Sequence, residues 1–233
     1  MIYVYNDIMD FEEKSFHEWE KNLDRKRVEM GKRYRMKKDK CLCLLSHQIL
    51  LYALKIEYAV SVLPKIATGK LGKPYFENRI CCFNISHCDT GIVVAVSDKE
   101  IGVDIQNSVS FIKEVKNQFL CKREEAFVMK KKESPNEILK IWTLKEAYGK
   151  CRGVGLLYPF KEKDFSDILD YKGICEFEKF YVTTIINNEY ILSVFAHNKK
   201  DIKFCSVKYS QLCDTLNLKM PYDLNEMERI CSD

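Results

Sequence analysis

The chain has 233 residues, 46% of them hydrophobic and 31% charged, with a formal net charge of +4. That is enough apolar material for a core without a disulfide framework, and too little net charge to mark a nucleic-acid binder. No apolar run is long enough to span a bilayer, because Lys55 and Glu57 interrupt the best one, so neither membrane nor nucleic acid is an expected partner.

The eleven cysteines are odd in number and irregularly spaced. None has zinc-finger spacing, and residues 1–14 lack the basic start and apolar core of a signal peptide. They are read as reduced, mostly buried thiols of a cytoplasmic protein.

In chain order, Met1–Tyr5 predicts a short strand. Phe11, Phe16, Trp19 and Leu23 recur at loose helical spacing. Residues 21–40 hold ten Lys or Arg against three Asp or Glu. Such a run is a solvated face or a surface that meets phosphates. Leu44–Leu63 is apolar almost all round and predicts a buried helix stopped by Pro64, with His47 as a core residue. Gly69–Phe76 is a turn-rich loop.

Phe83–Cys88 alternates as a strand with Phe83 and Ile85 inward and Asn84 and Ser86 on the other face. Ser86 and His87 then point to opposite faces and cannot activate one another. Ile92–Val96 and Ile101–Gln106 predict two strands joined at Ser97–Glu100 as a hairpin. In the second, Ile101, Val103 and Ile105 face a core, while Gly102, Asp104 and Gln106 face away. Gly102 leaves room for a ligand to approach the backbone. An Asp inside a strand is unfavourable and needs a reason.

Asn107–Ser110 is a polar joint. Phe111–Leu120, Lys122–Met129 and Glu137–Cys151 predict helices. On the last, Trp142, Glu146 and Lys150 lie four apart and share a face, with Lys145 beside it and a Gly153-x-Gly155 exit. Phe177–Ile186 and Glu189–Phe195 predict strands joined at Asn187-Asn188, and the run 190–197 echoes 91–97 in pattern. The tail after Tyr209 predicts helix.

Gly102-Val103-Asp104, followed by Trp142, Lys145, Glu146, Ala147, Lys150, Gly153 and Gly155, resembles the signature of the 4'-phosphopantetheinyl transferases, Sfp-like branch. Gly72-Lys73-Pro74 and Asn84-Ile85-Ser86-His87 resemble two further elements of that family. The resemblance implies an α+β fold of two pseudo-symmetric α/β lobes, residues 1–108 and 109–233, with the active site in the cleft between them and a monomeric chain.

It also implies transfer of the 4'-phosphopantetheine arm of coenzyme A to a serine of an apo acyl or peptidyl carrier protein, releasing adenosine 3',5'-bisphosphate. Asp104, Gln106 and Glu146 would hold Mg²⁺, and Asp104, Glu146 and Lys150 would be catalytic. Arg27, Lys73, Ser86, His87, Lys145 and Lys150 would contact coenzyme A, with Ser86 and His87 on the 3'-phosphate. Residues 111–129 would touch the carrier.

The sequence departs from the family at two places. Many Sfp-like members carry Glu where this chain has Gln106, which implies weaker Mg²⁺ binding and a shift toward Mn²⁺. A basic residue expected near position 41 or 42 is replaced by Cys41 and Leu42. The alternative reading is a coenzyme A or nucleotide binding module with weak or no transfer.

Overall fold

The computed structural model describes residues 1–6, 19–107, 110–154 and 159–218. The expected helix at Phe11–Leu23 lies mostly outside these residues, as do Gly155 and the chain after residue 218. The fold is α+β. Contact density divides it into two compact units, residues 1–4 with 64–205, and residues 5–63 with 206–233. The lobe boundary expected at residue 108 falls inside the first unit.

In the first unit, strands β1 (Ile2–Tyr5), β4 (Cys82–Cys88), β5 (Gly91–Ser97) and β10 (Phe204–Ser206) form a sheet in the order β10-β1-β5-β4. A second sheet, in the order β6-β9-β8-β7, holds β6 (Ile101–Gln106), β7 (Cys175–Phe177), β8 (Phe180–Ile186) and β9 (Ile191–Ala196). Strands β2 (Ile66–Thr68) and β3 (Pro74–Phe76) pair separately.

The expected hairpin between β5 and β6 does not form. β5 pairs with β4, and β6 pairs antiparallel with β9, placing Asp104 opposite Ser193. The turn at Ser97–Glu100 carries the chain from one sheet to the other. By contrast, β8 and β9 do form the hairpin read at Asn187-Asn188.

Alternation decides which side each strand buries. Val93 and Ala95 of β5, Ile101, Val103 and Ile105 of β6, and Leu192, Val194 and Ala196 of β9 make one apolar cluster. A second cluster packs Leu144, Ala147 and Tyr148 on Phe180, Phe195 and Phe165. Leu144, Ala147 and Tyr148 belong to α5 (Pro135–Arg152), Phe180 to β8 and Phe195 to β9. Two shorter helices, α3 (Ser110–Phe119) and α4 (Lys122–Lys130), precede α5. Proline opens α5, where no amide donor is needed, and Gly153 closes it in the left-handed region at φ 73°.

In the second unit, α1 (Arg25–Lys32) is capped by Asp24, whose carboxylate accepts from the Arg27 amide at 2.8 Å. Helix α2 (Lys37–Tyr58) is buried along its centre, as its apolar run requires. It ends before Pro64, at Ala59 in the left-handed region (φ 54°), where the Val60 amide closes on the Leu54 carbonyl. His47 is buried, and its Nδ1 donates to the Cys43 carbonyl at 2.9 Å. The tail helix α6 (Tyr209–Leu216) presents the Tyr209 hydroxyl to the Trp19 indole N–H at 2.6 Å. The ten cysteines among the described residues are free thiols. Among the described residues no helix is long and apolar enough to cross a membrane.

Candidate active site

The site is built where β4, β6 and α5 meet. β6 pairs with β9 on one edge only, so the amides on its other edge need acceptors. Asn84 Oδ1 accepts from the Val103 amide at 2.9 Å, and Ser86 Oγ accepts from the Ile105 amide at 3.4 Å. Residues two apart on β4 thus serve amides two apart on β6. The Asn-x-Ser pattern is a seam that fixes the two strands side by side.

α5 comes down on β6 at Gly102. A Cβ there would lie 2.1 Å from the Ala147 carbonyl oxygen and 2.4 Å from the Cys151 amide, so only glycine fits. The expectation that Gly102 makes room for a ligand is corrected: it makes room for the helix. This close approach lets side chains of α5 reach Asp104. Trp142 helps hold the helix, packing edge-on against Phe119 and Phe160 at 5.0 and 6.1 Å.

Asp104 is 1% exposed. Its Oδ1 accepts from Lys150 Nζ at 2.6 Å and from Ser86 Oγ at 2.8 Å, and Lys150 also donates to Ser86 at 3.0 Å. Oδ2 faces the Gln106 amide nitrogen at 3.5 Å. Glu146, one helical turn before Lys150, is 9% exposed. Burial first, and the Asp104 charge second, push its carboxyl up to about 7, against the opposing pull of Lys150. Its buried Oε1 has no hydrogen-bond partner. Asp104 and Glu146, 42 positions apart in sequence, therefore share one electrostatic environment with Lys150.

These groups fit a divalent ion. A hard cation takes carboxylate oxygens and completes its shell with phosphate and water. The orphaned Glu146 oxygen is a buried acceptor waiting for a donor or an ion. Gln106 turns its N–H, not its carbonyl, toward Asp104, so a ligand role for Gln106 requires the amide to turn over.

Other expected contacts are placed differently. Lys145 is fully buried and pairs with Glu124, also fully buried, at 2.8 Å. It donates further to the Phe160 carbonyl at 2.7 Å and to the Lys163 carbonyl. Its three N–H donors are used inside the protein, where Lys145 ties α5 to α4, and contact with the pyrophosphate would require these bonds to be given up. Burial pulls its pKa below the ordinary range, and Glu124 supports the charge.

Ser86 has a single hydroxyl proton and gives it to Asp104. Donation from Ser86 to the 3'-phosphate would require this proton to turn away from Asp104. His87 lies exposed on the opposite face of β4, as alternation requires. Lys73 pairs with Glu100 and donates to the Cys151 carbonyl at 3.0 Å, a cation on the last turn of α5. Even so, Lys73, Asn84, Ile85 and Lys150 line a cavity of about 260 Å³. Arg27 belongs to the second unit, where it lies beside the Cys43 thiol.

Glu124 was missed by sequence reasoning. Its oxygens take Lys145, the Cys121 amide at 2.9 Å and the Phe165 amide at 3.0 Å. The signal was a Glu at the third position of α4, where a carboxylate turns back to cap the helix. Cys121, Glu124 and Asp164 bring ligand atoms within 4.8 Å of one another. With Glu124 engaged on both oxygens, that cluster is a structural clamp.

The family model described as "4'-phosphopantetheinyl transferase superfamily" matches residues 100–198, the stretch that carries Asp104, Glu146 and Lys150. The chain is similar to the 4'-phosphopantetheinyl transferase gsp of Aneurinibacillus migulanus, with 31% identity over 93 residues, 39% of each chain. It is also similar to the 4'-phosphopantetheinyl transferase Sfp of Bacillus subtilis (strain 168), with 29% identity over 98 residues, 41% of this chain and 44% of that one. The alignments span less than half the length of both relatives. Residues 100–198, which carry the glycine-seated helix and the two convergent carboxylates, are similar to the 4'-phosphopantetheinyl transferase superfamily.

Proposed function

We propose that this protein transfers the 4'-phosphopantetheine group of coenzyme A to a serine of an apo carrier protein, in a divalent-ion-dependent reaction. The single observation that carries the reading is the buried, unpartnered Glu146 Oε1 beside Asp104, with Lys150 across from both.

Asp104 and Glu146 would hold Mg²⁺, or Mn²⁺. When bound, the ion supplies charge neutralisation on the diphosphate. Lys150 is the cation nearest the carboxylates, and in this structure its ammonium rests on Asp104 and Ser86. With Asp104 engaged elsewhere, its donors are available to phosphate oxygens. Glu146, directly or through a water, is the proposed acceptor of the attacking hydroxyl's proton. The serine oxygen forms a bond to the phosphorus of the pantetheine phosphate. The P–O bond to the other phosphate breaks, the serine proton goes to Glu146, and adenosine 3',5'-bisphosphate leaves. The cavity between Lys73 and Lys150 is the proposed seat of the diphosphate, and His87 is a proposed contact of the 3'-phosphate.

The test is the mass of an apo carrier after incubation with the protein, coenzyme A and Mg²⁺. Addition of one phosphopantetheine group, lost in Asp104→Ala and Glu146→Ala, is the expected result. Coenzyme A binding with no mass gain on fatty-acid, polyketide or peptidyl carriers would reduce the protein to a binding module.

A further inference from the structure

The first unit holds a second, larger cavity that the proposed reaction does not use. It measures about 670 Å³ and lies beyond the Leu71–Pro74 loop, at the C-terminal end of α5. Lys73 and Gly153 line both cavities, whereas Lys150 lines only the smaller one. The volume is in the range of small-molecule sites.

Its lining is basic. Lys70, Lys73, Arg79, Arg152 and Lys179 contribute five cations, against the two carboxylates of Asp98 and Glu100. Lys73 and Glu100 neutralise each other. The remaining four cations make no salt bridge among the described residues, though Arg152 donates to the Tyr148 hydroxyl at 3.3 Å and its charge reaches Glu178. Arg79 instead lies over the Tyr75 ring at 3.9 Å, and Lys179 faces Phe180 at 5.8 Å. Like charges gathered without counter-charges cost energy unless an anion is present part of the time.

The thiols in the wall add no negative charge, since burial pushes Cys151 up to about 12 and raises Cys82 as well. His197 stacks on Phe180 at 4.7 Å. Burial first, then Lys179 and Lys99, hold its pKa below the ordinary value, so it enters as a neutral hydrogen-bonding ring in a positive field. The walls are otherwise apolar, with Phe83 and Phe180 buried at the base.

We propose that this cavity binds a small ring-bearing organic phosphate, at a site separate from the Asp104–Glu146–Lys150 centre. The Arg79 guanidinium fork suits the planar sets of phosphate oxygens better than lysines alone would. The aromatic floor suits a ring, and the cations around the mouth suit a doubly charged head group. The loop Leu71–Pro74 is one wall of both cavities, so a ligand here would also hold the loop that carries Lys73.

Phenyl phosphate and inorganic phosphate are the probes, titrated by calorimetry into the full chain with and without saturating coenzyme A and Mg²⁺. Phenyl phosphate is expected to bind with a stoichiometry near one in both conditions, and more tightly than inorganic phosphate. Arg79→Ala with Lys179→Ala is expected to weaken it by about tenfold or more, the loss of charge-assisted hydrogen bonds. Both residues are exposed, and unfolding curves check that the variants fold. Lys150→Ala is expected to leave phenyl phosphate binding unchanged. The His197 ring signals should titrate at higher pH with phosphate bound, because an anion favours the imidazolium. Binding abolished by coenzyme A, or lost in Lys150→Ala and kept in the Arg79/Lys179 variant, would assign the phosphate to the transfer site and overturn the proposal. So would no binding of either probe at millimolar concentration. None of these outcomes depends on whether a carrier is modified.

Discussion

Replacing Glu146 by Gln tests the electrostatics of the site without any substrate. Burial and the Asp104 charge hold the Glu146 carboxyl at about 7, where the ordinary value is 4.5. At about 1.4 kcal/mol per pH unit, keeping it ionised in the folded protein at pH 8 costs about 3 kcal/mol. The sign follows from proton uptake. Between pH 4.5 and 7 the unfolded chain has already released this proton while the folded chain keeps it, so stability falls as pH rises through that window and levels off above it. Gln carries no charge at any pH and escapes this cost.

In EDTA, thermal unfolding of Glu146→Gln should match the parent near pH 4. At pH 8 it should lie about 5–10 °C higher, at roughly 2–4 °C per kcal/mol for a chain of this size. Asp104→Asn, which removes the second cause of the shift, should move the midpoint of the parent's pH dependence downward. A Glu146→Gln protein that is less stable than the parent at pH 8 would mean that the carboxylate is paired rather than strained, and would refute the reasoning.

Gly102→Ala should force α5 off β6, because its Cβ would lie 2.1 Å from the Ala147 oxygen; a loss of about 3 kcal/mol in urea unfolding, with loss of divalent-ion binding, is expected. Glu124→Ala should cost about 3–5 kcal/mol by leaving the buried Lys145 charge alone. Most of that should return in the Glu124→Met/Lys145→Met double variant, and a cost under about 1 kcal/mol would remove Lys145 from its anchoring role. Gln106→Glu should lower the Mg²⁺ concentration at half-saturation of transfer, and an unchanged value would show that position 106 lies outside the ion's shell.

Much of this site was legible from residue types and spacing. The alternation of Ile101, Val103 and Ile105 put Asp104 on the opposite face from the core, and four-residue spacing put Glu146 and Lys150 on one side of a helix. Both readings rest on local periodicity, which sequence encodes directly. What pairs with what is not local. The turn at Ser97–Glu100 looks the same whether it closes a hairpin or passes the chain to another sheet, and the partner of β6 lies some ninety residues on, at β9. The fate of a lysine is equally non-local. Lys145 and Lys150 are both helix cations in a charged motif, yet one ends fully buried on Glu124 and the other on Asp104. Only the position of α4 separates them. That Ser86 also accepts from the Ile105 amide was not legible, because the strand beside β4 is not a local property of the sequence.

The central claim is that Asp104 and Glu146 close on one divalent ion. Mn²⁺ titration by electron paramagnetic resonance, with coenzyme A present, measures this most directly in the parent, Asp104→Asn and Glu146→Gln. One ion per chain in the parent, with affinity reduced about tenfold or more in each variant, is the predicted result. Equal affinity in all three proteins, or loss in only one of the two variants, would contradict it.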